Sequence, residues 1–151
     1  MTEARLLIDT NVLVYADDAR DARKQAVASE VLQMLLGPGP AGLTTQVLGE
    51  YWRAITKGAE PLLSRAEATT RVRDFATMSP VFGIDVEVTL EAARLASTRS
   101  LAYWDAQLIA TAKVNGVGLV LSEDFTDGID IDGVIVLDPF ASHFDVEALL
   151  A

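Results

Sequence analysis

The sequence contains no cysteine and only one histidine, His143. The absence of cysteine excludes disulfide bonds and thiolate metal sites. A histidine-based zinc site or a Ser-His-Asp triad would depend on His143 alone, and its position late in the chain favours a surface side chain. The chemistry of this protein therefore has to come from other residue types.

Basic residues are also scarce. Twelve lysines and arginines stand against 22 aspartates and glutamates, which gives a net charge of -10. Modules that only bind nucleic acid normally carry an excess of positive charge, so the composition argues against that class. It does not exclude a nuclease, because bound metal ions change the local sign of the charge.

Long apolar runs are missing as well. No stretch approaches the ~20 apolar residues of a membrane-spanning helix, and no basic segment followed by an apolar one indicates a signal peptide. We therefore expect a cytoplasmic protein without membrane contact. The 151 residues suffice for one core and are too few for two ordinary ones, so we expect a single domain over residues 1–151.

The chain does contain short apolar strands that alternate with amphipathic helices. Continuous apolar runs predict buried strands at Leu6–Ile8, Val117–Leu121 and Val134–Leu137, and shorter strands are predicted at residues 42–44 and 81–84. Helices are predicted over residues 12–16, 22–36, 46–57, 64–78, 88–98 and 101–115. Ser64 and Glu67 have the spacing of a capping box at the start of the fourth. This alternation predicts an α/β fold, a three-layer sandwich whose mainly parallel central sheet has helices on both faces.

Four acidic residues occupy positions where such a fold binds ligands. Asp9 and Asp124 each follow an apolar strand, and Glu50 and Asp105 lie in the first turns of later helices. Because ligands bind beyond the carboxyl ends of parallel strands, the four acids can converge there. Each of three also has an ordinary structural explanation: a helix cap or a turn for Asp9, a surface pair with Arg53 for Glu50, and a favourable helix dipole for Asp105.

Carboxylates that converge require a counter-charge. Two of them about 5 Å apart repel by roughly 3 kcal/mol at an effective dielectric constant near 20. With no cysteine and no suitable histidine, the ligands would all be oxygen atoms, which favours Mg²⁺ or Mn²⁺. A hard metal ion at strand ends indicates chemistry on phosphate groups.

Two families that also place an acid after a strand do not fit the sequence. Haloacid-dehalogenase-type phosphatases have a second aspartate two residues after the first, where this chain has Asn11. Response-regulator receivers have an acidic pair before the phosphorylated aspartate and a lysine after a late strand. Here Leu7 and Ile8 precede Asp9, and Asp138 follows the last predicted strand.

The sequence resembles PIN-domain ribonucleases over nearly its whole length. The run from Leu7 to Leu13, Glu50, the segment Tyr103–Ala106 and the segment Leu121–Phe125 are similar, in order and spacing, to the four acidic motifs of that family. Any one of these motifs is common, but all four in order are specific. The length and the segment from Asp127 to Phe140 resemble the VapC toxins of bacterial toxin–antitoxin pairs.

This resemblance implies a metal-dependent endoribonuclease that acts as a toxin. It would hydrolyse RNA phosphodiester bonds through a metal-activated water and leave a 5′-phosphate and a 3′-hydroxyl. The implied residues are, as carboxylates that hold Mg²⁺ or Mn²⁺, Asp9, Glu50, Asp105 and Asp124, and, as groups that orient carboxylates or water, Thr10, Asn11 and Ser122.

One position in the fourth motif is ambiguous. Glu123 and Asp124 are neighbours, and side chains of neighbours in an extended segment face opposite ways. We therefore expect one of them at the metal and predict Asp124. Asp127 precedes a glycine and is expected to be a turn residue with at most an outer role.

The resemblance also implies partners. A VapB-type antitoxin would lodge in the active-site groove, and the protein would form a homodimer through helices near Tyr51–Trp52 or over Ala22–Leu36. Several basic residues are candidates for contacts with the RNA backbone, although each is more simply explained as a solvated surface charge. They are Arg20, Arg23, Lys24, Arg53, Lys57 and Lys113. The alternative function is a catalytically silent PIN-like module that only binds a partner, with its acids serving as caps and surface pairs.

Overall fold

The computed structural model describes residues 3–151, and within this range a six-stranded sheet is surrounded by six α-helices. The strands are β1 Leu6–Ile8, β2 Ala41–Thr44, β3 Val81–Phe82, β4 Leu119–Leu121, β5 Asp130–Ile131 and β6 Val134–Leu137. The helices are α1 Thr10–Ala16, α2 Ala22–Leu35, α3 Thr45–Thr56, α4 Arg65–Met78, α5 Val86–Arg99 and α6 Tyr103–Val114, and a 3₁₀ turn follows at Glu147–Leu149.

The strand order is β3-β2-β1-β4-β6-β5. All neighbouring strands are parallel except β5 and β6, which are antiparallel. This confirms the predicted α/β fold with a mainly parallel sheet. The chain runs outward from β1 through β2 to β3 and then returns to the other side of β1 as β4. The reversal creates a topological switch point between β1 and β4, where open α/β sheets bind ligands.

The centre of the sheet is fully apolar. Leu6, Leu7 and Ile8 of β1 are at most 1% exposed, as their unbroken hydrophobicity predicts. Helix α6 is buried at every position from Ala106 to Ala112, so it is a core helix rather than a surface one. These two elements give the site acids that adjoin them a rigid support.

The helix bounds differ from the predicted ones by no more than two residues. Asp9 is the N-cap of α1, because its side chain accepts a hydrogen bond from the Thr10 amide, so the ordinary capping explanation for this acid is confirmed. Because the extended residue Asp9 is both the end of the β1 segment and the cap of the helix, α1 begins directly after it. The capping box at Ser64 and Glu67 is confirmed.

The bounds of β4 and the existence of β5 were not predicted correctly. Val117 and Gly118 lie outside β4, and no strand was predicted at the position of β5. Asp132 and Gly133, both with positive φ, close the hairpin that pairs β5 with β6. The segment Asp130–Ile131 places an acid beside a single apolar residue, so it has no apolar run to be recognised. No helix within residues 3–151 has the length and apolar character needed to cross a membrane.

Tyr51 does not form the dimer surface suggested for it, because its side chain is 0% exposed. Its hydroxyl donates to Asp17 Oδ2 at 2.5 Å, and Arg71 donates to the other oxygen of Asp17 at 2.8 Å. The ring of Tyr51 packs edge-on against Phe75. The side chain therefore joins α1, α3 and α4 inside the molecule.

Candidate metal centre

Asp9 lies at the switch point of the sheet. Its backbone amide donates to Leu121 O at 2.9 Å, which extends the β1–β4 pairing by one step. Its carboxylate accepts the Thr10 amide at 2.7 Å on one oxygen and the Ser122 hydroxyl at 2.6 Å on the other. The side chain is 8% exposed. Asp9 is thus held in one orientation from both sides.

The raised pKa of Asp9 reflects the electrostatic cost of burying an ionised carboxylate here. Burial raises the pKa of Asp9 from 3.8 to about 6, and the negative charges of Asp124 and Glu50 add to the rise. The hydrogen bonds from Ser122 and Thr10 oppose it, because they stabilise the ionised form. A buried carboxylate with a raised pKa gains from a nearby cation, which favours its ionised form.

Ser122 and Asn11 connect Asp9 to Asp124. The buried Ser122 hydroxyl donates to Asp9 and accepts the Asp124 amide at 3.1 Å. The Asn11 amide nitrogen lies 3.1 Å from Asp124 Oδ2 and 3.4 Å from Asp9 Oδ2. Asn11 Oδ1 is buried and has no hydrogen-bond partner within residues 3–151. The orienting positions predicted for Asn11 and Ser122 are therefore next to both carboxylates.

Glu50 reaches the same region from α3. Its carboxylate accepts Gln46 Nε2 at 2.6 Å and the Thr10 hydroxyl at 3.4 Å. The ordinary explanation for Glu50, an ion pair with Arg53 three residues later, is wrong: no such pair occurs in the described part of the chain. Glu50 faces the acids and Thr10 instead.

Asp105 is in the first turn of α6 and is partly buried. Burial raises its pKa, and the charges of Asp124 and Glu50 raise it further. The same two acids raise the pKa of Asp9. The structure therefore brings all four predicted carboxylates into one electrostatic neighbourhood.

Glu123 and Asp124 contact different partners, although residues 123–125 form a bend and not the extended segment that was expected. Glu123 binds Lys24 at 2.6 Å, and Lys24 also donates to the Tyr15 hydroxyl at 3.2 Å. Asp124 turns toward Asn11. Asp127 is engaged elsewhere, with its carboxylate accepting the Asp138 amide and contacting the exposed His143 at 2.9 Å.

The donors fit a hard divalent cation chemically. Four carboxylates and the unpartnered Asn11 carbonyl oxygen offer only oxygen atoms. Within residues 3–151 none of the four carboxylates, of Asp9, Glu50, Asp105 or Asp124, forms an ion pair with lysine, arginine or histidine.

The side chains are not drawn together into a closed cage. No three acidic or histidine side chains in the range 3–151 are arranged to hold a metal ion as they stand. The close convergence expected from the sequence therefore requires side-chain rotation. Glu50 and Asp124 are exposed and can rotate at small cost, whereas Asp9 is fixed.

Gln46 is a site residue that sequence reasoning missed. Its amide nitrogen donates to Glu50 and to Trp104 O at 3.0 Å, and its oxygen accepts Gln107 Nε2 at 2.9 Å. It thereby fixes α3 against α6, so that Glu50 and Asp105 stay adjacent. Its position one helical turn before Glu50 was the available signal, because residues i and i+4 share a helix face.

Comparison with known proteins identifies the family of the domain. A family model of the PIN domain matches residues 6–126. Comparison with the curated proteins gives no significant match.

Several solved structures share the fold. VapC20 of Mycobacterium tuberculosis, described as a sarcin-ricin loop cleaving toxin, is 16% identical with a TM-score of 0.60, over 76% of this chain and 86% of that one. A toxin–antitoxin complex from Klebsiella pneumoniae is 18% identical with a TM-score of 0.63, over 89% and 97%. DNA-bound VapBC from Salmonella typhimurium is 13% identical with a TM-score of 0.62, over 92% and 99%.

Proposed function

We propose, because this chain belongs to the PIN domain family, that it is a metal-dependent endoribonuclease and the toxin of a toxin–antitoxin pair. The observation that carries the proposal is the group of four carboxylates at the switch point. Asp9 and Asp105 both have raised pKa values, and Asp124 and Glu50 contribute to both. Such a group is costly to fold unless a cation binds it.

Mg²⁺ or Mn²⁺ would be held by Asp9, Asp105 and Asp124, with Glu50 bound directly or through a water. When bound, the ion supplies Lewis-acid activation of a water and of a phosphate oxygen. Ser122 keeps the Asp9 carboxylate in a single orientation. The exposed Glu50 carboxylate is suited to accept a proton from the incoming water. We propose a 5′-phosphate and a 3′-hydroxyl as the product ends.

The toxin role draws on the proteins that share the fold. One of them is described as a toxin that cleaves the sarcin-ricin loop, and two others are toxin–antitoxin assemblies. By analogy we propose a VapB-type antitoxin that covers the acidic centre, a homodimeric toxin, and RNA in the cytoplasm as its target.

The test is cleavage of a mixed small-RNA pool by the purified protein in Mg²⁺ or Mn²⁺. We expect discrete fragments that disappear with EDTA and in Asp105→Asn, and that persist in Glu123→Gln, a matched change next to the site. Full activity of Asp105→Asn would refute the site assignment. Activity in EDTA would refute the metal requirement.

The alternative is a silent binding module, which the open arrangement of the acids favours. A metal that binds only the native state raises the unfolding free energy by about 2.7 kcal/mol at a concentration 100 times Kd. We expect Mn²⁺ to raise the Tm of the wild type and not that of Asp105→Asn. Absence of both cleavage and a Tm change would support the silent module.

A further inference from the structure

The twelve basic side chains divide clearly by partner. Six form ion pairs with acids, namely Arg20, Lys24, Arg71, Arg94, Arg99 and Lys113. Arg5 and Arg23 donate to backbone carbonyls. The side chains of the remaining four form neither an ion pair nor a hydrogen bond to a backbone carbonyl within residues 3–151: Arg53, Lys57, Arg65 and Arg73.

Three of these four basic residues line one groove. It lies between α3 and α4, has a volume of about 460 Å³, and is bordered by Arg53, Lys57, Arg65, Trp52 and the site residue Glu50. The Arg65 guanidinium stands over the indole ring of Trp52, 5.4 Å from its centre. In a chain with net charge -10, the unpaired positive charge is thus concentrated beside the acidic centre.

The groove is continuous with that centre along α3. Gln46, Glu50, Arg53 and Lys57 are spaced by four, three and four residues, so they share one face of the helix. At 1.5 Å per residue this stripe is about 16 Å long. It begins at the contacts between α3 and α6 and ends at the basic groove.

Helix electrostatics explain only part of this charge. Arg53 and Lys57 lie at the C-terminal end of α3, where the helix dipole favours cations. Arg65 is the first residue of α4, where the dipole disfavours a cation. Arg65 stands over Trp52 but has no acidic partner within residues 3–151, so its charge is available to an anionic ligand in the groove.

We propose that this groove binds the sugar-phosphate backbone of single-stranded RNA, with Arg53, Lys57 and Arg65 contacting phosphates next to the bond that is cut. The inference rests on the proposed ribonuclease function. A strongly acidic protein repels RNA over most of its surface, so a local basic track is needed for productive binding. At the other end of the stripe, Trp104 is 64% exposed beside the acids and offers a surface on which a base stacks.

The test measures binding of a fluorescein-labelled single-stranded RNA of about 15 nucleotides by anisotropy, in EDTA so that no cleavage occurs. The groove variant is Lys57→Gln/Arg65→Gln. The matched control is Arg20→Gln/Arg73→Gln, which removes the same charge from outside the groove. Trp104→Ala tests the stacking surface.

The salt dependence separates local contacts from overall charge. Each phosphate contact to single-stranded RNA contributes about 0.7 to the slope of log K against log salt, which is about fivefold in affinity at 0.1 M salt. We expect the groove variant to bind about 25-fold more weakly than its control, with a slope smaller by about 1.4. Trp104→Ala should weaken binding and leave the slope unchanged.

The outcomes separate this inference from the proposed function. If the wild type cleaves RNA and the two double variants bind it equally, the groove proposal is overturned and the ribonuclease proposal stands. The same equality is expected if the groove holds an acidic segment of a partner protein. If the groove variant binds more weakly but no RNA is ever cleaved, RNA binding in the groove is supported, and the ribonuclease proposal fails together with the placement of the groove beside a cleaved bond. Absence of any RNA binding overturns the groove proposal.

Discussion

Replacing Asp9 by asparagine should stabilise the metal-free protein at neutral pH, although it removes a carboxylate proposed to hold the metal. Burial raises the pKa of Asp9 from 3.8 to about 6. One pKa unit corresponds to about 1.4 kcal/mol, so ionised Asp9 lowers the unfolding free energy by about 3 kcal/mol above pH 7. Asparagine is uncharged and avoids this cost.

The hydrogen bonds of Asp9 reduce the gain. The carboxylate accepts from Thr10 and from Ser122, whereas an asparagine oxygen can replace only one of its two oxygens as an acceptor. Losing one such bond costs about 1–2 kcal/mol. We therefore expect a net gain of about 1–2 kcal/mol. At about 2–4 °C per kcal/mol, this raises Tm by about 2–8 °C.

The gain should depend on pH in a defined direction. Because the folded-state pKa of Asp9 is raised, the native protein holds a proton that the unfolded chain releases between pH 3.8 and about 6. The wild type therefore loses stability as pH rises through this window, and the variant does not. The advantage of Asp9→Asn should be absent near pH 4 and complete above about pH 7.

The assay is thermal unfolding in EDTA, followed by circular dichroism at both pH values for the wild type and Asp9→Asn. Glu123→Gln serves as a control, because its carboxylate is paired with Lys24 outside the acidic group. A Tm difference between wild type and Asp9→Asn that is the same at both pH values would refute the reasoning. So would a variant that is less stable than the wild type at neutral pH.

Three further predictions concern single side chains. Tyr51→Phe removes the buried hydroxyl that donates to the aspartate after α1 and should lower the urea-unfolding free energy by about 1–3 kcal/mol; an unchanged midpoint would contradict this. Asp124→Asn should abolish RNA cleavage while Glu123→Gln retains it, because only the former faces the acidic group; the opposite result in a fragment assay would reverse the assignment. Gly42→Ala should lower Tm, because the added Cβ would lie 2.9 Å from a ring atom of the β3 phenylalanine. Gly49→Ala in α3 is the matched control: its Cβ meets nothing within 4 Å, and it should raise the unfolding free energy by up to about 1 kcal/mol. Equal Tm values for the two variants would show that the strands adjust freely.

Local sequence patterns predict much of the fold. The unbroken apolar run Leu6–Ile8 predicts a buried strand, and the capping box at Ser64 predicts the start of α4. The position of β4 between β1 and β6 was not predictable in this way, because it depends on contacts between distant parts of the chain. Strand β5 was missed because it has an acid beside one apolar residue and therefore no apolar run.

The candidate site was likewise predicted only in part. The placement of Asp9 and Asp124 beyond strand ends brought both to the switch point, as expected. The contacts of Gln46 were not predicted, and the six basic candidates for RNA contact could not be told apart, because the partner of each side chain is set in three dimensions. Lys24 was a candidate for RNA contact, yet it pairs with Glu123, 99 residues away in sequence.

The strand order also determines when the acidic centre can form during synthesis. Strand β4 carries Ser122 toward Asp9, and it is paired on its other side with β6, where the Ser122 amide donates to Leu137 O at 3.0 Å. A chain still attached to the ribosome without residues 134–137 lacks that support. Because such non-local pairing forms late, we expect the contact between Ser122 and Asp9 to form only after translation has passed β6.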